Sequence, residues 1–216
     1  MVNYYGYLLI VILTLIIIGI YLSKFTPKKI RVITVFIVFC MLFRYVSLLI
    51  FYLSNNIKYL YVLKVFFFLN LIAVPLLALT ALYIFTRKDN INFSYIFIAA
   101  AVLIGLYALC IYKCPSLLYN SSSIGYTMFF YRSMYIYWIY IMLNTIILFL
   151  TILLMGQKNL NKTGMYLVIL SSFATILELV IWLVGITYPL ERVVGDMFWV
   201  ATLVYGLSRF RKKTVK

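Results

Sequence analysis

Histidine is absent from this 216-residue sequence, and aspartate and glutamate together number four. Those two shortages remove most acid–base and hydrolytic chemistry. A Ser-His-Asp triad lacks its base, a zinc centre lacks imidazole ligands, and a paired-carboxylate site lacks a second acid once Asp196, at the edge of its run, is counted to a connection. The three cysteines, Cys40, Cys110 and Cys114, do not fill the gap. Cys110 and Cys114 share a helix face at i, i+4 but bring no third ligand, so a metal held there would be two-coordinate. Neither catalysis, nor a metal, nor a cofactor is expected. Proline is scarce too, and Pro75 alone falls deep inside an apolar run.

What the sequence does contain is apolar. Hydrophobic residues make up 67% of the chain and charged residues 11%, with a mean hydropathy of +1.11, well beyond the roughly half-apolar make-up of soluble domains. Apolar runs at 4–22, 32–53, 59–86, 93–112, 127–155, 165–187 and 194–208 follow one another with short polar breaks. At about 20 residues per crossing each suits one transmembrane helix, the third and fifth with tilt or overhang. Stretches such as LLIVILTLIIIGI lack the strict alternation that a membrane barrel requires. The expected fold is an all-α bundle of seven transmembrane helices over 1–208, with a short basic tail at 209–216. The longest connection, roughly 113–126, leaves no room for a soluble catalytic domain. The first run has its positive charges after it rather than before it, so it reads as a retained span and not a signal peptide.

The net charge of +15 is arranged by topology. Lys24, Lys28, Lys29, Arg31, Arg87, Lys88, Lys158, Lys162, Arg209, Arg211, Lys212, Lys213 and Lys216 fall at the first, third and fifth connections and the C-terminus. The opposite connections hold Lys58, Lys113 and Arg192, with Glu191 and Asp196 beside them. The positive-inside rule then puts the N-terminus outside and the C-terminus in the cytoplasm. The basic balance accordingly implies contact with anionic membrane lipids and not nucleic acid.

Polar residues inside the runs define faces. Ser171, Thr175, Glu178, Trp182 and Gly185 follow helical steps of four and three, and Cys40, Arg44 and Ser47 do so in the second run. Tyr126, Ser133, Tyr137, Tyr140 and Asn144 share a face of the fifth, and Asn70, Ala73, Leu77 and Thr80 of the third. Counted from the outer ends, Arg44, Asn70, Tyr137 and Glu178 lie at one level, roughly 16–18 Å deep, while Lys64 and Arg132 lie about 9 Å deep. Intramembrane charges face the bundle interior and pair there. The expectation is an Arg44–Glu178 pair at mid-depth, with Asn70, Tyr137, Tyr140, Thr175 and Trp182 around it and Lys64 and Arg132 at an outer mouth. Three cations against one carboxylate suit an anionic or zwitterionic small-molecule ligand. A purely structural pair, with Lys64 and Arg132 reaching to headgroups, is the competing expectation.

Two segments carry a family likeness. FFFLNLIAVPLLALTALYIFTRKDN, with Phe66, Pro75, Phe85 and Thr86, and GDMFWVATLVYGLSRFRKK, with Phe198, Tyr205, Arg209, Phe210 and Arg211, resemble the third and last helices of the N-terminal seven-helix sensory module of bacterial histidine kinases. The resemblance implies a sensor or receptor of the bacterial plasma membrane. It departs from the family in ending at Lys216, where a PAS domain or kinase core would follow, so the resemblance implies either a detached sensory module or a stand-alone relative whose signal transduction needs a separate cytoplasmic partner. Three other classes stand beside it. A retinal-type pump would need a lysine in 194–208, which has none. A small seven-helix sugar transporter would need the counterpart of Pro75 in its second repeat. A non-sensory membrane partner, such as an immunity protein or accessory transporter subunit, would be marked by its genomic neighbours.

Overall fold

The computed structural model describes residues 4–54, 59–86, 92–121, 125–157, 160–186 and 193–214, the side chains of 121 and 212–214 apart. The expected connection residues Lys58, Arg87, Lys88, Lys158, Glu191, Arg192 and Lys216 lie outside this set. The chain is helical almost throughout. Helix α1 spans Tyr4–Ser23 and α2 Lys28–Leu53; a 3-10 turn, Leu60–Leu63, leads into a short α3, Lys64–Phe67, and then α4, Asn70–Thr86. Next come α5, Ser94–Lys113; strands β1, Ser116–Ser121, and β2, Gly125–Phe130; and helices α6, Tyr135–Leu154, α7, Lys162–Leu183, and α8, Val193–Thr214. Among the described residues six helices are long and apolar enough to cross a membrane: α1, α2, the segment Leu60–Thr86, α5, α6 and α7.

Helix α4 is the axle of the bundle, packing against α2, α5, α6, α7 and α8, while α8 also lies along α7 and α1. The reason is close approach at small residues. A Cβ at Gly164 of α7 would meet the Phe85 ring at 2.4 Å, so glycine lets α7 come down onto the end of α4. One end of the bundle gathers the α1–α2 turn, the end of α4, the start of α7 and the end of α8. There the Asn161 amide donates to the Phe85 carbonyl at 3.1 Å, and the Arg211 guanidinium lies over Tyr21 and Phe25 at 5.7 and 5.8 Å. The hairpin caps the opposite end.

Three features differ from the sequence expectation. The fifth run does not begin as a helix at 127: residues 125–130 pair antiparallel with 116–121, within the connection expected at roughly 113–126. Aromatic-rich, bounded by Pro115 and Gly125, this stretch fits a strand as well as a helix, since short apolar runs do not separate the two. The third run is broken at Phe68 and Leu69. The last helix does not end at 208 but continues to Thr214, so most of the basic tail is helical.

Candidate functional site

The break in the third run sets up the site. In an unbroken helix the Phe67 carbonyl would accept from the Leu71 amide, but that amide bonds Phe68 instead, at 3.0 Å. The freed Phe67 carbonyl receives the Arg44 guanidinium at 2.5 Å, and the same guanidinium lies 5.6 Å over the Phe67 ring. Irregular backbone inside an apolar bundle is tolerable when a side chain re-satisfies it, and Arg44 performs that task.

The carboxylate that Arg44 meets is Asp196, at 2.9 Å, and both side chains are 3% exposed. Tyr45, next to Arg44 and fully buried, donates its hydroxyl to the same Asp196 oxygen at 3.2 Å. The expected Arg44–Glu178 pair thus gives way to an Arg44–Asp196 pair. Charge counting puts Asp196 with the connection, two residues into the run that starts at 194. Yet Asp196, Trp199, Val200, Leu203 and Leu207 are all buried, at helical spacing, and that periodicity was the signal that Asp196 faces inward. Trp199 is the other functional neighbour the sequence reading passed over.

Glu178 does something different with its charge. Its two oxygens accept the amides of Val194, at 3.1 Å, and Gly195, at 2.8 Å, which are among the first amides of α8. A carboxylate from α7 therefore caps α8, where the helix dipole and the unsatisfied amides favour negative charge. The close approach needs glycine: a Cβ at residue 195 would meet Thr175 Oγ1 at 2.8 Å, Thr175 Cα at 2.9 Å and Glu178 Oε2 at 3.1 Å. Below this clasp the same α7 face continues as a polar seam. Thr175 accepts the Trp199 indole N–H at 3.1 Å, and Ser171 shares a hydrogen bond with Thr202 at 2.8 Å. The Ser171–Thr175–Glu178 stripe is thus where the sequence placed it, and what it faces is α8.

The remaining predicted residues separate into two groups. Tyr137 is buried, accepts the Phe130 amide at 2.9 Å and meets Trp182 edge-on at 4.8 Å between ring centres. Phe130 stacks on Phe68 at 3.9 Å, so hairpin, broken helix, α6 and α7 lock together through aromatic rings. Asn70, Tyr140 and Thr175 are buried, with Asn70 opening α4. Asn144, one turn beyond Tyr140, is 1% exposed, and its Oδ1 finds no hydrogen-bond partner among the described residues.

Lys64 and Arg132, expected at an outer mouth, are each engaged beside the hairpin. Lys64 donates to the Ile111 and Cys114 carbonyls at 2.8 and 2.7 Å, capping the end of α5 with a cation as the dipole favours. Arg132 is exposed in the turn between β2 and α6, with φ 58° and its guanidinium 5.2 Å over Tyr131. Cys110 and Cys114 are free thiols, and no three metal-ligating side chains cluster among the described residues. No family model matches the chain, and no curated protein matches it.

Proposed function

We propose that this chain is a seven-span receptor module of the bacterial plasma membrane. In this reading the hairpin end faces outside and the α8 end lies in the cytoplasm, where a separate partner protein receives the signal. One observation carries the reading: α8, the helix that runs out through SRFRKK, begins in a clasp made by α2 and α7. Arg44 and Tyr45 hold Asp196, and Glu178 holds the Val194 and Gly195 amides. A continuous helix of 22 residues moves as a unit, so a small change at its clasped start displaces its basic end.

Each charged group of the clasp already has a partner, Arg44 in Asp196 and Glu178 in the α8 amides, so their role in this reading is to define a resting position of α8 and not to hold the ligand. An anionic or zwitterionic small molecule bound elsewhere at the hairpin end acts by preferring one of two α8 positions over the other. The aromatic lock of Phe68, Phe130, Tyr137 and Trp182 links the hairpin to α7 and supplies a route from that end to the clasp. The kinship with histidine-kinase sensory modules suggested by the third and last runs fits this output through the last helix.

The test has a topology arm and a coupling arm. An alkaline phosphatase fused after residue 121 should be active outside the cell, and a fluorescent protein fused at Lys216 should fluoresce inside. Spin labels at the α1–α2 turn and at the end of α8 should report a shifted or broadened distance in Asp196→Asn compared with the parent. A folded, inserted Asp196→Asn protein with an unchanged distance, and unchanged capture of whatever cytoplasmic protein binds the tail, would leave the clasp purely structural and overturn the receptor reading.

A further inference from the structure

The hairpin has two outer edges, and the fold treats them differently. Ser116 stands opposite Phe130, Leu118 opposite Met128 and Asn120 opposite Tyr126, and the direction of their backbone groups follows from one amide. Phe130 donates to the Tyr137 hydroxyl at 2.9 Å and so turns away from β1. Hydrogen-bonded and non-hydrogen-bonded positions alternate in an antiparallel pair, and the next amide, that of Tyr131, bonds the Pro115 carbonyl at 2.9 Å. The amides and carbonyls of Ser116, Leu118 and Asn120 therefore point outward from β1. The corresponding edge of β2 is covered. Tyr137 takes its Phe130 amide, Met128 and Phe130 are fully buried, and a Cβ at Gly125 would meet the Phe51 carbonyl oxygen at 3.0 Å.

Strand β1 has no such cover. Among the described residues no group outside the hairpin hydrogen-bonds the backbone of Ser116, Leu118 or Asn120, and Leu117 and Tyr119 stand 40% and 57% exposed. Proteins blunt a free edge with a lysine, a proline or a bulge. Of the 19 basic residues none lies in SLLYNS, and the nearest proline, Pro115, precedes the strand. The charge sits at one end instead. Exposed Lys113 comes shortly before β1 and exposed Arg132 shortly after β2, so both flank the base of the hairpin, where the Lys64 ammonium lies 6.0 Å from the Phe130 ring centre. The described carboxylates, Glu178 and Asp196, are engaged elsewhere, at the α8 amides and Arg44.

We propose that β1 accepts an extended peptide as a third, antiparallel strand whose acidic carboxyl end lies at the base of the hairpin. Ser116, Leu118 and Asn120 present donors and acceptors at the two-residue repeat of a strand, and an extended backbone is the partner that matches them in register. Antiparallel pairing is the more stable per residue, and it brings the incoming carboxyl end to the start of β1, beside Lys113. A second copy of this chain paired through β1 would bring its own Lys113 and Arg132 and no acid to meet them. Charge thus selects the acidic peptide. Such a peptide supplies the anionic ligand of the receptor reading, and its signalling role rests on that reading; its binding does not.

The test uses the intact chain in detergent and pooled N-acetylated hexapeptides of randomised sequence, half ending in aspartate with a free carboxylate and half in lysine amide. Peptides retained by the protein and read by mass spectrometry should favour the acidic end about threefold, the weight of an exposed ion pair. N-methylation along the tightest binder should weaken it about tenfold at alternate residues and leave it unchanged between them, because every second amide faces β1. Asn120→Pro removes one outward amide at a position that donates nothing to β2, so it should weaken binding about fivefold at an unchanged melting temperature. Lys113→Gln should erase the acidic preference and keep the N-methylation pattern. Retention of no peptide, equal retention of both ends, or N-methylation without a two-residue period would each overturn the proposal. A dimeric mass in detergent that the peptide does not reduce would overturn it in favour of a second copy. Because the readout is retention and not the position of α8, binding with this pattern beside an unmoved α8 would sink the receptor reading alone.

Discussion

The third span and α5 are almost equally apolar, yet 72% of the most apolar stretch of Leu60–Thr86 is buried inside the protein and only 11% of that of α5. Hydropathy therefore makes both long and apolar enough to cross a membrane and says nothing about which stands at the centre. Lipid tails are as apolar as leucine, so burying one more leucine against another helix gains little. Polar residues and close approach decide instead. The third span carries Asn70, Thr80 and Thr86, all buried, and receives Arg44 at its broken carbonyl. Helix α5 buries only Ile96 and Ala100, and its polar contacts to the third span are those of Tyr107 with the Val65 carbonyl and of Lys64 at its end.

The comparison breaks most visibly at the ion pair that fixes the centre. Arg44→Met leaves the Asp196 carboxylate buried without its cation, and removing one member of such a pair costs about 3–5 kcal/mol. The double variant Arg44→Met/Asp196→Leu removes both charges and should recover part of that loss, the Phe67 carbonyl and the Tyr45 hydroxyl that lose their partners keeping the rest. Thermal unfolding of the purified variants in one detergent measures both. A double variant no more stable than Arg44→Met alone would mean that Arg44 matters chiefly for the Phe67 carbonyl and not for Asp196.

Next in size is Gly195→Val. The side chain would collide with Thr175 Oγ1 and Cα, the latter a backbone atom that cannot rotate away, so α8 must retreat from α7. Overpacking of this kind costs about 1–3 kcal/mol, and the retreat also lengthens the bonds from Val194 and residue 195 to Glu178. Loss of the Trp199–Thr175 hydrogen bond should show as a changed indole fluorescence, with Phe substituted at Trp138 and Trp182 so that Trp199 alone reports.

Glu178→Gln is smaller. It keeps the shape and an acceptor oxygen but removes the charge from the start of α8, a helix-dipole contribution of about 0.3–2 kcal/mol depending on burial. Insertion should be unaffected or improved. The change in melting temperature should be a fraction of that for Arg44→Met, which distinguishes a capping carboxylate from the ion-pairing one. Equal losses would put Glu178 inside the ionic network rather than beside it.

These cases also show what the residues disclosed and what they hid. The stripe Ser171, Thr175, Glu178 was legible because a polar face in an apolar helix has a period, and that face is buried. Its partner was not legible, because α8 meets α7 through backbone amides at Val194 and Gly195, and an amide leaves no mark in the sequence. Asp196 was mistaken for a connection residue because hydropathy windows push acids to the edges of a run, although its spacing to Trp199 and Leu203 pointed inward. Most of strand β2 falls inside a run that reads as helix because GYTMFF and YWIYIM look alike by composition. Lys64 was placed at the right end of the bundle, but its acceptors, Ile111 and Cys114, lie far along the chain and are carbonyls, so its capping role could not be read.

The smallest expected effect sharpens the comparison most. Gly105 lies on the exposed side of α5, and a Cβ built there meets nothing within 4 Å. Gly105→Leu should therefore leave stability unchanged or raise it by up to about 1 kcal/mol, the gain coming from the better helix propensity of leucine. It should also leave the molecular mass in detergent unchanged. A clear loss of stability, or a fall in mass, would show that this face is covered by another chain at the small pair Ala101 and Gly105, in the manner of small-xxx-small contacts. In that event the contrast between the two spans would disappear, because α5 would be as central to an assembly as the third span is to the single chain.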